Sequence, residues 1–173
     1  EWSYKDGFGP LIEVGRFGGT SNRFASINNR LLMFQSQPWS PVWDMVDINA
    51  ASSAVADTDG DNIDELILVS ETFPRSVREI DVQTQSNRSL LEDWNVMVIA
   101  AADFDGDPSK EVVIGLETGY PQDQVNSFRV INATSGANEF SFPAHAPGPY
   151  VAGGFVPGSG TLDIVFGSGS RTS

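Results

Sequence analysis

Apolar and polar positions along this chain alternate in short runs bounded by Gly, Pro, Asp, Asn and Ser. No segment of helical length carries a 3.6-residue apolar period. The runs are rich in Val, Ile, Leu and aromatic residues, which predicts strands. They recur in a fixed order. A strand of small residues comes first, as in Ala51–Ala56 or Val98–Ala102, the latter inside the longest clean apolar run, Val96–Ala102. An acidic loop follows, and then a strand of large apolar residues, Leu66–Val69 or Val112–Gly115. Third strands are predicted at Arg30–Gln35, Val77–Val82 and Phe128–Asn132. Fourth, aromatic-bearing strands are predicted at Val42–Met45, Leu91–Val96 and Glu139–Phe142, and Glu1–Lys5 reads as one more of this kind.

The order reflects an internal repeat. Ala56–Val69 and Ala102–Gly115 share one register: counted from the first Asp, both carry carboxylates at loop positions one, three, five and nine and Gly at position four. Two weaker copies, Gly15–Ile27 and Gly154–Gly167, place Arg16 and Phe155 where the first Asp stands. Gly19, Gly60, Gly106 and Gly158 fall in one column. A period of roughly 40–50 residues predicts an all-β fold, a β-propeller-like array of four-stranded blades with about three full blades and a split or incomplete one. The chain then reads as a single domain over residues 1–173, with units at 8–46, 47–97, 98–143 and 148–173 and residues 1–6 as an extra terminal strand. The last unit shows only its first two strands before Ser173. Its completion is expected either from Glu1–Lys5 of the same chain or from a neighbour's terminal strand, the latter giving a head-to-tail ring or filament.

Composition removes several function classes. Lys and Arg number 10 and Asp and Glu 23, for a net charge of −13. That balance repels phosphate backbones and anionic lipid, so neither nucleic-acid binding nor membrane association is expected. No run approaches the roughly 20 apolar residues of a membrane helix, and no membrane insertion is expected. With no Cys and one His, His145, thiol chemistry and most histidine-based catalysis are absent from the expectation. His145 lies in the Pro-bounded stretch Pro143–Pro147 and reads as an exposed linker residue.

The two acidic segments resemble the calcium loops of the FG-GAP or VCBS-type repeats of integrin-α-like propellers and secreted microbial propellers. Val130–Gly136 before Phe140–Phe142 resembles the hairpin between the third and fourth strands of such blades. The resemblance implies an extracellular or cell-surface protein with two calcium ions. Calcium takes six to eight hard oxygens at about 2.3–2.6 Å. Alternate residues of a tight loop supply three carboxylates: Asp57, Asp59 and Asp61 in one, Asp103, Asp105 and Asp107 in the other. The resemblance adds the backbone carbonyl of Ile63 or Ser109 and the carboxylate of Glu65 or Glu111. Two positions depart from the family pattern. Position six, often Gly, is Asn62 or Pro108, and position nine is Glu where integrin loops carry Asp. Asn tolerates a left-handed backbone and Pro does not. An EF-hand is excluded, because loop position twelve is Leu68 or Ile114 rather than Glu. Solvated acidic turns without metal are the plainer alternative, and two copies in one register weigh against it.

Two glycosylation sequons, Asn87-Arg88-Ser89 and Asn132-Ala133-Thr134, are placed in the turns between third and fourth strands. Outside the loops no acid/base pair stands out, so the expected role is non-enzymatic: a secreted, calcium-stabilised structural or adhesive repeat protein, a filament subunit through terminal strand exchange. Its partners would be other copies of the chain or another extracellular protein or carbohydrate. The alternatives are a closed propeller module binding a carbohydrate or protein ligand, and a carboxylate-based glycosidase or lyase.

Overall fold

The computed structural model describes residues 11–17, 23–27, 30–35, 40–46, 48–72, 75–93, 95–103, 110–117, 125–143, 150–155 and 162–167. Among these the chain is all-β. The first sheet holds β1 (Leu11–Gly15), β2 (Arg23–Ile27), β3 (Arg30–Gln35) and β4 (Ser40–Val46). The second holds β5 (Ala50–Ala56), β6 (Glu65–Ser70), β7 (Ser76–Asp81) and β8 (Ser86–Glu92). The third holds β9 (Val96–Ala102), β10 (Glu111–Glu117), β11 (Val125–Asn132) and β12 (Asn138–Pro143). The fourth pairs β13 (Tyr150–Phe155) with β14 (Leu162–Gly167). Each sheet is an open antiparallel meander in sequence order. The predicted terminal strand Glu1–Lys5 and the linker histidine His145 lie outside the described residues.

Turn chemistry sets the meander. Between β7 and β8, the Asp81 carboxylate accepts the amides of Gln83 and Thr84 and the Thr84 hydroxyl, and Gln85 takes a left-handed φ of 58°. Between β11 and β12, Asn132 Oδ1 accepts the Ser135 amide and hydroxyl, and Gly136 takes φ 71°. Asx side chains thus cap the same hairpin in both sheets. Each pairing of third and fourth strands also carries a register shift, at Met33/Phe34, Val77/Arg78 and Val130/Ile131, the mark of a repeated bulge.

The fourth strand of the second unit moves: expected at Leu91–Val96, it runs as β8 from Ser86 to Glu92, and Val96 instead opens β9 of the third sheet, ahead of the expected unit boundary at 97/98. Asp93 makes the break: its carboxylate accepts the Asn95 amide and its carbonyl accepts the Val96 amide. A side-chain bond to the chain's own backbone outcompetes strand continuation there.

Packing follows from side-chain alternation on the second strands. β6 is buried on both faces. Leu66 and Leu68 join Phe17, Leu31, Met33, Ile48 and Ile80 in a core between the first and second sheets. Ile67 and Val69, on the opposite face, join Val77, Ile99, Val112, Ile114 and Ile131 between the second and third. A strand covered on both sides reads as a continuous apolar run, which is how Leu66–Val69 reads. Each such side chain contributes roughly 1.5–3 kcal/mol by burial.

Neighbouring sheets also meet through their first strands, β1 on β5, β5 on β9 and β9 on β13. Small residues there permit the approach. Ser53 Oγ donates to Glu13 Oε1 at 2.5 Å, and the Ile99 amide donates to Ser52 Oγ at 3.3 Å. Gly15 is pressed so close that an added Cβ would lie 2.8 Å from Val55 Cγ1.

Candidate metal centre

The loop joining β5 to β6 folds around its own carboxylates. Asp57 Oδ1 accepts the Gly60 amide at 2.8 Å and Oδ2 the Asn62 amide at 2.9 Å. Asp59 Oδ1 accepts the Asp61 amide at 3.1 Å, and Asp61 Oδ1 the Ile63 amide at 2.7 Å. Two left-handed residues make the coil tight enough for these bonds: Gly60 at φ 82° and Asn62 at φ 68°. Position six of the loop therefore does need a residue that reaches this conformation, and Asn supplies it.

The consequence is a convergence of charge. One carboxylate oxygen from each of Asp57, Asp59 and Asp61 lies within 4.8 Å of the others, so the group could hold a metal ion. Asp57 is half-buried, and Asp59 and Asp61 are exposed. Like charges about 4 Å apart repel by roughly 1 kcal/mol in bulk water and roughly 4 kcal/mol at the effective dielectric of a protein surface. The bonded carboxylate oxygens keep a further lone pair, and carboxylate oxygen suits a hard divalent cation. The donor set therefore fits such an ion. Ile63 contributes its amide to Asp61, as above, and is half-buried.

Glu65, expected at position nine of the same sphere, is placed elsewhere. It is 4% exposed, and its Oε2 accepts both the amide and the hydroxyl of Thr58 at 2.7 Å. Thr58 Oγ1 is also 3.0 Å from Glu79 Oε2, and Glu79 is bound by Arg88 Nη2 at 2.7 Å. Burial pushes the Glu65 carboxyl up to about 7, against the pull of the two Thr58 bonds, with the charges of Asp59 and Glu79 adding to the rise. One hydroxyl hydrogen cannot serve two carboxylates at once.

The second loop is described only at its ends. Asp103 Oδ2 accepts from Lys110 Nζ at 2.9 Å, and Glu111 is fully buried at the start of β10, opposite Ala102. Asp105, Asp107 and Ser109 lie outside the described residues. Arg16, in the first-Asp place of the weak upstream copy, reaches across to the second sheet. Its amide donates to Asp64 Oδ2 at 2.6 Å, and its guanidinium lies 3.6 Å from Asp64 Oδ1. Both sequon asparagines lie at strand ends rather than in the turns. Asn87 is exposed on β8, and Asn132 closes β11 with its Oδ1 engaged as the hairpin cap.

Four residues around the loop had no signal in the spacing: Thr58, Glu79, Arg88 and Thr134. They meet only in three dimensions, with Thr134 Oγ1 donating to the Thr58 carbonyl at 2.6 Å from the third sheet. Glu79 and Arg88 pair across β7 and β8, whereas the sequence placed Arg88 in a turn outside the predicted strand Leu91–Val96.

No protein-family model matches the chain, and no curated protein matches it.

Proposed function

We propose that this protein is a calcium-stabilised repeat protein of the β-propeller type that works outside the cell as a structural or adhesive subunit, not as an enzyme. The observation that carries the reading is the convergence of Asp57, Asp59 and Asp61 in the loop that joins the first two strands of a sheet. Calcium suits an irregular, carboxylate-rich set better than magnesium, which demands a near-ideal octahedron and keeps its waters. Bound there, the ion would cancel the repulsion between the three groups and fix the β5–β6 connection. The propeller arrangement is supported by the repetition itself: meanders of the same order, meeting through small-residue first strands, with the apolar second strands buried between them.

The structural role is supported by where the other carboxylates go. Asp44 is paired with Arg30, Asp64 with Arg16, Glu79 with Arg88 and Asp93 with Arg129. These are ion pairs that tie strands and sheets together. Self-association is the form of this role that the fourth sheet favours. Among the described residues the fourth sheet has two strands, β13 and β14, where each of the others has four, and a strand from a second copy would add there.

Electron microscopy of the protein in calcium buffer and in chelator tests the reading. Regular head-to-tail assemblies that depend on Glu1–Lys5 are expected in calcium. Single particles under both conditions would overturn the assembly role.

A further inference from the structure

Thr58 sits between two of the three converging aspartates, yet its side chain turns inward and is 1% exposed. Its polar atoms are tied into the body of the protein. The amide and hydroxyl go to Glu65, and the hydroxyl also approaches Glu79. The carbonyl accepts from Thr134 Oγ1 at 2.6 Å. Arg88 closes the circuit. Its Nη2 donates to Glu79 Oε2 at 2.7 Å and to the Ala133 carbonyl at 2.8 Å, and its Nη1 donates to the Thr134 carbonyl at 2.8 Å. Ala133 and Thr134 open the turn between β11 and β12, the outer hairpin of the third sheet. The acidic loop is thus joined to the next sheet by two routes, Thr58–Thr134 directly and Glu79–Arg88 through β7 and β8.

We propose that Thr58, Thr134 and Arg88 form the linkage through which a cation held by Asp57, Asp59 and Asp61 locks the outer hairpin of the third sheet onto the second. The proposal rests on the metal reading above. A cation that ligates residues 57 and 59 fixes the backbone between them, and with it the direction of the Thr58 carbonyl. A carbonyl held in line keeps its hydrogen bond, and one that turns away loses it, because such bonds weaken steeply with angle. Coupling of this kind is reciprocal: the hairpin contact raises cation affinity by the same factor that the cation strengthens the contact.

The experiment is amide hydrogen exchange over residues 130–138, with calcium chloride or chelator, on the wild type and on Thr134→Val and Thr134→Ser. The Asn132 amide, bonded to the Ala137 carbonyl, and the Gly136 amide, bonded to the Asn132 carbonyl, report hairpin opening. Calcium is expected to slow their exchange roughly fivefold or more in the wild type. In Thr134→Val that dependence is lost while calcium still slows exchange within the loop, and in Thr134→Ser it returns. Equal slowing in Thr134→Val, or slowing confined to the loop in the wild type, would overturn the linkage and leave the metal reading standing. Absence of any calcium heat in calorimetry would overturn both.

Discussion

Replacing Glu65 by Gln gives the sharpest account of what its burial costs. Glu65 is nearly solvent-free, and its carboxyl is pushed up to about 7 from the ordinary 4.5, with loss of solvation as the largest cause. The sign follows from proton binding. Between those two values the folded state holds a proton that the unfolded state has released, so stability falls as pH rises through that window. At about pH 8, above both values, linkage puts the destabilisation of the cation-free protein at about 3 kcal/mol, and at about pH 5 at under about 1 kcal/mol. Gln carries no charge and can still accept both Thr58 donors through its amide oxygen. In chelator at about pH 8, Glu65→Gln should therefore raise stability by about 2–3 kcal/mol, or roughly 5–10 °C in melting temperature for a domain of this size. At about pH 5 the two proteins should melt within roughly 2–3 °C of each other. Paired melts by circular dichroism at the two pH values read this directly. An unchanged or lower melting temperature for Glu65→Gln at the higher pH would refute the reasoning, as would an identical gain at both.

Other perturbations test separate parts of the fold. Gly15→Ala places a Cβ 2.8 Å from Val55 Cγ1 and 3.0 Å from Asp64 Oδ2, forcing the first and second sheets apart. It should cost about 1–3 kcal/mol, seen as a lower urea midpoint at unchanged slope. Asp81→Ala removes the cap of the β7–β8 hairpin and should cost about 1–2 kcal/mol near neutral pH. Burial raises the Asp81 carboxyl, but the bonds from Thr84 and Gln83 outweigh it and hold the group below its ordinary value. The cap's contribution is therefore complete above the ordinary carboxylate range and lost as pH falls through the lowered value, so the gap between wild type and Asp81→Ala should close in acid melts.

Much of this architecture is legible in the sequence because its determinants are local. The run at Leu66–Val69 is apolar at every position, and only a strand buried on both faces needs that. The Asp57–Asp61 spacing, with Gly60 and Asn62 as the residues that accept left-handed backbone, carries the loop's shape in six adjacent positions. What escapes the sequence is non-local. Nothing in the order of residues says that Glu65 turns toward Thr58, because that choice depends on Glu79 and Arg88 arriving from two later strands. The break at Asp93 lies between Leu91 and Val96, where strand propensity and the Asx bond to Asn95 compete and the local bond wins. The Asp81 and Asn132 caps were readable in principle, as an Asx residue followed within three positions by Thr or Ser.

The central claim is that the Asp57–Asp59–Asp61 loop binds calcium and that the fold depends on it. Calorimetric titration of calcium chloride into chelator-stripped protein tests this most directly, with Asp59→Asn alongside. The account predicts saturable binding by the wild type, with affinity lowered roughly tenfold or more in Asp59→Asn. At calcium about 100 times the dissociation constant, it predicts about 2.7 kcal/mol of added stability. No saturable heat with the wild type, or equal affinity in Asp59→Asn, would contradict it.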